Sequence, residues 1–341
     1  LPPSAHKPII IDMRGEQAGA EYALISQRVQ EALRTLKGDA CFWLNRRGYA
    51  SSFSCQSCGY ISACNRCGLP FVYHKKFNQL RCNHCHSRGT IFSSCPNCSE
   101  DMLKLRGAGS ELLGEELKQL KRELKLPHKL IGIDSDIDES DLLKNQEDDT
   151  PVIIYGTQKA LPYVDMKKNR LFVVLKANSQ LAVAEYTAEQ DYYEKIQWIR
   201  FFQHKDAKLY LQSMNPDHPF FSYLSNPDQF KRHLLTQRKA LNYPPFTYLT
   251  RYLLKTTSQK ASKAAAERMY TSLQKLLTQE QKSFTISRPY TLHPVYYRGG
   301  YWYAILVRFD VNHWKNELLW LNRYIPNRWK IDPNPSSIFS I

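Results

Sequence analysis

The sequence predicts an α/β protein in which a mostly parallel sheet is interrupted by a metal-binding module and followed by a small α+β domain. Short apolar runs alternate with amphipathic helical stretches between residues 8 and 211, which is the pattern of β-α-β units. Four C-x-x-C pairs lie between residues 55 and 98, and asparagine–proline breaks begin near residue 213. The predicted domains are residues 1–53 plus 104–212, residues 54–103 and residues 213–341.

The first predicted domain consists of short apolar strands and amphipathic helices. Five aliphatic residues share one face of a helix over 21–36, and Ser110 can cap a second helix whose leucines repeat at helical spacing. Cys41 lies in an apolar run, which predicts a buried strand residue rather than a metal ligand. The predicted strands are 8–12, 41–44, 129–133, 152–155, 171–175 and 208–211.

The last predicted domain mixes helices and strands over residues 213–341. Gly299 and Gly300 provide the tight turn that leads into one of its strands. Helices are predicted at 228–241, 259–279 and 312–323, and strands at 248–255, 284–288, 301–309 and 328–332.

Eight of the nine cysteines form four pairs, Cys55/Cys58, Cys64/Cys67, Cys82/Cys85 and Cys95/Cys98. A two-residue gap lets both thiolates of a pair reach one metal ion, so four pairs supply two closed tetrahedral Cys₄ zinc sites of the structural kind. Four disulfides or a redox-active pair are the alternatives, and the spacing suits a metal better than either. The spacing leaves open whether neighbouring, interleaved or nested pairs share a metal.

The net charge of +15, from 47 Lys and Arg against 32 Asp and Glu, indicates an anionic partner, of which nucleic acid is the commonest. A solvated basic surface and an acidic protein partner are the alternatives. The 21 Tyr, 15 Phe and 6 Trp suit base stacking as well as a core. No run of 18 apolar residues occurs, so no membrane-spanning segment is predicted. Reduced cysteines in metal sites indicate the cytoplasm.

Several basic and aromatic residues are candidates for contact with DNA. The stretch from Tyr296 to Trp302 interleaves aromatic rings with a cation, the combination that stacks bases and holds phosphate. A well-packed hairpin, a solvated lysine loop and an ion pair at a strand end are the structural alternatives. The candidates are Arg46, Arg47, Lys75, Lys76, Arg81, Tyr297, Arg298, Tyr301 and Trp302.

Short motifs also occur in a characteristic order. They are Asp12-Met13-Arg14, Asn45-Arg46-Arg47-Gly48-Tyr49-Ala50, Gly107-Ala108-Gly109-Ser110-Glu111, Gly156-Thr157-Gln158, Pro244-Pro245-Phe246 and Lys330-Ile331-Asp332-Pro333. Together with the cysteine pairs, this set resembles the primosomal replication-restart helicases (primosomal protein N′) over nearly the whole chain. The resemblance implies that residues 1–53 plus 104–212 form a RecA-like second helicase lobe. It also implies nested zinc sites, with Cys55, Cys58, Cys95 and Cys98 holding one ion and Cys64, Cys67, Cys82 and Cys85 the other.

The sequence departs from that family where the family hydrolyses ATP. No P-loop of the pattern G-x-x-x-x-G-K-[ST] occurs, so the lobe that carries it either lies outside this sequence or is dispensed with. The family's motif VI supplies arginines to the transition-state phosphates, whereas Phe201 and His204 occupy those positions here. Arg200 is one place away, about 100° around a helix, and a one-residue misalignment restores only one arginine. We therefore expect no ATP binding or hydrolysis by this chain alone.

These observations and the resemblance predict a zinc-containing, DNA-binding protein of replication restart and primosome assembly without its own ATPase activity. One alternative is the C-terminal half of an ATP-dependent 3′–5′ DNA helicase, and another is a protein scaffold that does not bind DNA. The expected cofactors are two Zn²⁺ ions per chain. The expected partners are single-stranded or branched DNA and primosome proteins, with single-strand-binding protein as a further candidate. The resemblance implies a bacterial, nucleoid-associated location.

Overall fold

The computed structural model describes residues 7–14, 16, 24–44, 52–55, 58, 60, 62–66, 71–74, 79–82, 87–101, 103–106, 110–133, 149–182, 185–280, 282 and 284–341. The chain forms two compact units. The first comprises Leu1–Ser51, Arg106–Val183 and Ala188–Phe230, and the second comprises Ser52–Leu105, Ala184–Thr187 and Lys231–Ile341.

The strands, in chain order, are β1 Ile9–Asp12, β2 Asp39–Leu44, β3 Ser52–Cys55, β4 Val72–His74, β5 Gln79–Arg81, β6 Arg88–Gly89, β7 Leu103–Arg106, β8 Lys129–Ile133, β9 Val152–Gly156, β10 Asn169–Leu175, β11 Lys208–Ser213, β12 Thr247–Thr256, β13 Thr285–Ile286, β14 Tyr290–Tyr297, β15 Gly300–Asp310 and β16 Lys330–Pro333. The helices are α1 Gln27–Arg34, α2 Ser110–Glu123, α3 Ala188–Phe202, α4 Pro219–Tyr223, α5 Pro227–Ala240, α6 Gln259–Gln279 and α7 Trp314–Asn322. Two 3₁₀ segments lie at Gln158–Tyr163 and Ala177–Ala182. Among the residues described, no helix is both long enough and apolar enough to cross a membrane.

The first unit is built on a six-stranded sheet with the order β1-β11-β10-β2-β9-β8. Every neighbouring pair of strands in this sheet is parallel. The short continuous apolar runs of the sequence predicted these strands, because strands buried on both faces need apolar residues at successive positions. The predicted α/β class with a mostly parallel sheet is therefore confirmed, and it is compatible with a RecA-like lobe.

Helices cover both faces of this sheet. On one face, Val29 of α1 and Leu113 of α2 belong to the same buried core as Phe42 of β2. The next residue of β2, Trp43, points to the opposite face because side chains alternate along a strand. There its ring meets the ring of Tyr192 on α3 edge-on, with the centroids 6.2 Å apart.

Helix α1 is shorter than its periodicity predicts. The apolar pattern predicted a helix over 21–36, of which 21–23 lie outside the described residues. The helix begins one residue after Ser26, whose Oγ accepts a hydrogen bond from the Val29 N–H and so caps the first turn. The preceding N–H, that of Ile25, donates to Glu116 of α2 at 2.9 Å. The apolar face thus continues into the loop that precedes the helix, and this loop packs on the same core.

The second unit contains an antiparallel sheet with the order β13-β15-β12-β16, in which β14 also pairs with β15. Helices α6 and α7 cover one face, where Leu273 and Leu321 join the core around Phe309. The long strand β14 was not predicted. Its sequence contains Pro294, and its register with β15 shifts between Thr291 and Tyr296. Apolar and polar residues therefore do not alternate regularly along this strand.

A buried arginine fastens the last strand to this sheet. Arg251 of β12 donates two hydrogen bonds to Asp332 of β16, at 3.0 and 2.7 Å. Its third nitrogen donates to the carbonyl of Ile338 at 3.1 Å. Asp332 belongs to the Lys330–Pro333 motif, so the carboxylate of this motif binds the arginine that also holds residue 338.

The cysteine-rich segment forms a further sheet with the order β6-β5-β4-β3-β7. Its strands contain only two to four residues each. Strands this short cannot bury a substantial core of their own. Such a segment needs another source of stability, and bound metal is the usual one.

Candidate metal centre and nucleic-acid surface

Four cysteines from the two ends of the cysteine-rich segment meet at one point. Cys55 ends strand β3, Cys58 follows in the next turn, and Cys95 and Cys98 flank a later turn. The Sγ atoms of Cys55 and Cys98 lie 3.7 Å apart, and those of Cys58 and Cys95 lie 3.6 Å apart. All four Sγ atoms lie within 4.8 Å of one another. The structure thus brings together the outer four cysteines of the nested arrangement.

The spacing of these sulfurs fits a tetrahedral metal site. With zinc–sulfur bonds of about 2.3 Å, the sulfurs of a regular tetrahedron lie about 3.8 Å apart. The observed distances are too long for disulfides, whose sulfurs lie about 2.05 Å apart. Every cysteine that the structure describes in full is a free thiol. The cluster can therefore hold a metal ion, and four thiolates leave no open coordination position for water or substrate.

Three of the C-x-x-C turns share one backbone arrangement. The N–H groups of Cys55, Cys82 and Cys95 donate to the carbonyl group five residues further on, at 2.8, 2.8 and 2.9 Å respectively. Cys82 belongs to the inner set of cysteines, yet its turn matches the two turns of the outer cluster. Its partners Cys67 and Cys85 lie outside the described residues.

Hydrogen bonds favour the thiolate form of Cys58. A side-chain hydrogen bond from Asn97 and a backbone hydrogen bond from Tyr60 lower the pKa of Cys58 to about 6. The N–H of Asn97 also lies 3.4 Å from the Sγ of Cys95. Because the thiolate is the form that binds metal, these bonds favour metal binding through Cys58.

The second candidate site is an aromatic hairpin, the residues 296–302, which joins β14 to β15. Tyr296 pairs with Tyr301 across the two strands, and their rings meet edge to face with centroids 5.1 Å apart. The guanidinium of Arg298 lies over the ring of Tyr297, 5.2 Å from its centroid. The three tyrosines are half-buried and Arg298 is exposed. The hairpin therefore carries an exposed cation beside half-buried rings, with Tyr296 and Tyr301 on one face and Tyr297 on the other.

Trp302 has a different place in this hairpin from its neighbours. It is 6% exposed and packs with Leu253 and Leu292. Its Nε1–H donates to the carbonyl of Tyr297 at 2.9 Å. The structure places Trp302 in the core rather than at the surface because neighbouring residues of a strand face opposite sides. Its indole stabilises the hairpin from within.

Two lysines that the sequence analysis did not name as DNA contacts lie beside the hairpin. The Nζ atoms of Lys255 and Lys330 lie 5.9 and 5.5 Å from the centroid of the Trp302 ring. Lys255 also donates to the carbonyl of Arg298 at 2.6 Å. Its side chain passes so close to Gly300 that a Cβ there would lie 2.6 Å from two of its carbons. Only the pairing of β12 with β15 and β16 brings these lysines here, and no local sequence signal shows it.

The other predicted DNA contacts are placed as follows. Arg81 lies half-buried on β5. Arg66, which was not predicted, lies over the Tyr296 ring, 4.5 Å from its centroid, and donates to the Tyr296 hydroxyl at 3.1 Å. Four predicted contacts lie outside the described residues, namely Arg46, Arg47, Lys75 and Lys76.

The end of helix α3 carries the residues that stand in place of the family's arginines. Arg200 is buried, and its Nη1 donates to the carbonyl of Leu224. Phe201 is exposed, while the Nδ1 of His204 accepts a hydrogen bond from the Asp206 N–H at 3.1 Å. Arg200 shares this carbonyl, which follows helix α4, with the Nε2 of Gln197 at 3.2 Å, and it does not present its charge to solvent.

The comparison with known proteins agrees with the motifs. No family model matches the chain. A replication restart protein PriA of Rickettsia felis is 30% identical over an alignment of 349 positions that covers 97% of this chain and 52% of the relative. The PriA protein of Rickettsia conorii is 32% identical over 262 aligned positions that cover 73% of this chain and 40% of the relative. That of Borreliella burgdorferi is 27% identical over 283 aligned positions that cover 80% of this chain and 41% of the relative.

The resemblance to the replication-restart family that the motifs indicated is therefore confirmed. The match extends across both compact units, since it reaches 97% of the chain. The chain spans about half or less of the length of the curated relatives it matches.

Proposed function

We propose that this chain, which is similar to replication restart proteins PriA over most of its length, binds DNA in replication restart and primosome assembly. The aromatic hairpin is the observation that carries the proposal. Its rings can stack on unpaired bases while the cations beside them neutralise phosphates, the combination that single-strand binding requires. The net charge of +15 adds a long-range attraction to DNA.

The residues of the hairpin take separate roles in this proposal. Tyr301 stacks on a base from one face of the hairpin, and Tyr297 offers its ring on the opposite face, where Lys255 and Lys330 lie. Arg298, in the turn, and the two lysines contact the backbone. Trp302 holds the hairpin from within. Stacking needs bases that are not already paired, so the preferred ligands are single-stranded or branched DNA. Arg46, Arg47, Lys75, Lys76 and Arg81 extend the proposed surface. Primosome proteins are the proposed protein partners, with single-strand-binding protein as a further candidate.

The proposal includes two zinc ions in nested Cys₄ sites. The outer site, formed by Cys55, Cys58, Cys95 and Cys98, is supported by the sulfur distances given above. The inner site, formed by Cys64, Cys67, Cys82 and Cys85, is supported by the turn of Cys82, which has the same backbone hydrogen bond as the turns of the outer site. Both ions are structural and compensate for the short strands. Residues 54–103 are then a two-zinc module inserted in a RecA-like lobe and followed by an α+β domain over 213–341.

Fluorescence anisotropy tests DNA binding directly. Labelled single-stranded, forked and duplex oligonucleotides of equal length are titrated with the chain over a series of salt concentrations. With four phosphate contacts, the logarithm of the affinity for the single strand should fall with the logarithm of salt concentration with a slope of about −3. Single-stranded and forked DNA should bind more tightly than duplex. Binding weaker than about 10⁻⁴ M at low salt would favour the scaffold alternative.

We also propose that the chain alone does not hydrolyse ATP. The missing P-loop and the burial of Arg200 support this. The alternative, the C-terminal half of an ATP-dependent 3′–5′ helicase, is favoured by the parallel sheet of the first unit and by the greater length of the relatives. Phosphate release is measured with and without DNA, with an active helicase as the positive control. We expect no DNA-stimulated turnover, and a rate of about 1 s⁻¹ or more would favour the helicase.

A further inference from the structure

One side chain of the cysteine-rich segment reaches the aromatic hairpin within the second compact unit. Arg66 lies inside a C-x-x-C turn, two residues after Cys64, and is separated from Tyr296 by 230 positions in the chain. Its guanidinium carbon lies 4.5 Å from the centroid of the Tyr296 ring. Its Nη2 donates to the hydroxyl of the same tyrosine at 3.1 Å. Two different interactions thus fix one arginine on one ring.

The contact continues into the hairpin. Tyr296 meets Tyr301 edge to face at 5.1 Å, and the two residues pair across β14 and β15. Tyr301 in turn is the ring to which the proposed function assigns base stacking. Arg66, Tyr296 and Tyr301 therefore form a continuous row that begins at a metal-binding turn and ends at the stacking surface.

The start of this row depends on the turn that carries Arg66. Cys64 is 2% exposed, so its side chain is directed into the segment while Arg66 points outward. A metal ion that binds both thiolates of a C-x-x-C pair fixes the backbone between them, and the strands of this segment are too short to do so alone. Loss of metal would leave Arg66 without a fixed position from which to hold the ring.

We infer that Arg66 is a positioning residue through which metal binding at the Cys64 turn orders the aromatic hairpin for nucleic acid. This inference rests on the proposed function, since it assigns a use to the inner metal site and to the stacking surface. Arg66 acts through Tyr296, and a contact of its own with phosphate is not required.

Hydrogen–deuterium exchange of the peptide that spans residues 290–303 tests the coupling without DNA. The zinc-loaded chain is compared with its Arg66→Ala and Cys64→Ser variants. The control is Arg88→Ala, which removes the same charge from an exposed position on β6 of the same segment. We expect amide exchange in the hairpin about three- to tenfold faster in Arg66→Ala, from the loss of a cation–π contact and a hydrogen bond. Cys64→Ser should do the same, and Arg88→Ala should exchange like the parent chain.

Two further measurements separate positioning from general damage. Zinc content of Arg66→Ala should equal that of the parent chain, because the thiolates remain. Affinity for single-stranded DNA should fall about two- to fivefold more than in Arg88→Ala. Tyr296→Phe, which keeps the ring and loses the hydroxyl, should give an intermediate effect, and adding it to Arg66→Ala should change little further.

The outcomes distinguish this inference from the proposed function. Unchanged hairpin exchange in Arg66→Ala, with zinc retained, would overturn the coupling whether or not the chain binds DNA. Faster exchange in a chain that binds no DNA would support the coupling and contradict the proposed function. If Cys64→Ser does not fold, the parent chain stripped of zinc by a chelator takes its place, and unchanged hairpin exchange in that sample would overturn the coupling to metal.

Discussion

Arg200 of the first unit and Arg298 of the second use their charge in opposite ways. In the first unit, Arg200 is 4% exposed and its guanidinium donates to the carbonyl of Leu224. In the second unit, Arg66 and Arg298 are exposed and lie over tyrosine rings. A buried guanidinium that satisfies a backbone carbonyl stabilises the fold, whereas an exposed one beside an aromatic ring remains accessible to a ligand. The charge of Arg200 thus has a structural role, as that of the buried Arg251 has in the second unit, whereas the charge of Arg298 is accessible.

The units also differ in what holds them together. The first unit buries a continuous apolar core between its helices and its parallel sheet. The cysteine-rich segment of the second unit has strands of two to four residues and a cluster of four thiols. Loss of metal should therefore unfold the cysteine-rich segment and leave the parallel sheet intact. Replacing Arg200 should change the stability of the first unit, whereas replacing Arg298 should change the DNA affinity of the second.

The largest expected effect follows from removing one ligand of the outer cluster. Cys95→Ser should reduce the zinc content from two ions per chain to one, and the cysteine-rich segment should become sensitive to protease. Structural zinc contributes about 10–16 kcal/mol of apparent binding free energy in small peptides. The parallel sheet should stay protected, because its core contains no ligand of this cluster.

Cys41→Ala is the matched control. Burial raises the pKa of the Cys41 thiol, which keeps it protonated and unable to ligate zinc. This variant should keep both zinc ions, as atomic emission analysis of the purified protein would show. An unchanged zinc content in Cys95→Ser would contradict the assignment of the outer site.

The next effect contrasts the two kinds of arginine. Arg200→Ala should lower the free energy of unfolding of the first unit by about 1.5–3 kcal/mol, because the buried hydrogen bond of a charged group is lost. Arg298→Ala should change stability by no more than about 0.5 kcal/mol. Urea unfolding followed by circular dichroism measures both.

DNA affinity should show the reverse order. Arg298→Ala should weaken binding of single-stranded DNA, whereas Arg200→Ala should leave the affinity of the folded protein unchanged. Arg200→Lys, which keeps the charge but not the planar donor group, should recover only part of the stability. Equal loss of stability in Arg200→Ala and Arg298→Ala would break the comparison between the units.

The sequence predicted much of the fold because its strands are short apolar runs with clear ends. The strand over 129–133 and the helix over 259–279 were predicted with the bounds that the structure has. The predicted start of α1 was wrong, because the apolar residues continue along one face before the helix begins and do not show that Ser26 caps its first turn. Strand β14 was missed because Pro294 and a shift in register conceal it.

The candidate sites were predictable only in part. Cysteine spacing identified the eight candidate ligands, because metal chemistry fixes the spacing locally, but only the resemblance to the restart family indicated which four form the outer cluster. Lys255, Lys330 and Arg66 were not found, since pairing of distant strands and a contact across 230 positions bring them to the hairpin. Likewise, composition could not show that Tyr301 and Trp302 face opposite sides of β15.

The central claim is that the aromatic hairpin binds single-stranded DNA, with stacking and charge supplied by different residues. Anisotropy titrations over a salt series with Tyr301→Ala and with the double variant Lys255→Gln/Lys330→Gln test it most directly. Tyr301→Ala should lower the affinity by about 1–3 kcal/mol without changing the salt slope. The double variant should flatten the slope by about 1.4, from two phosphate contacts at about 0.7 each. Unchanged affinity in Tyr301→Ala and an unchanged slope in the double variant would contradict the account.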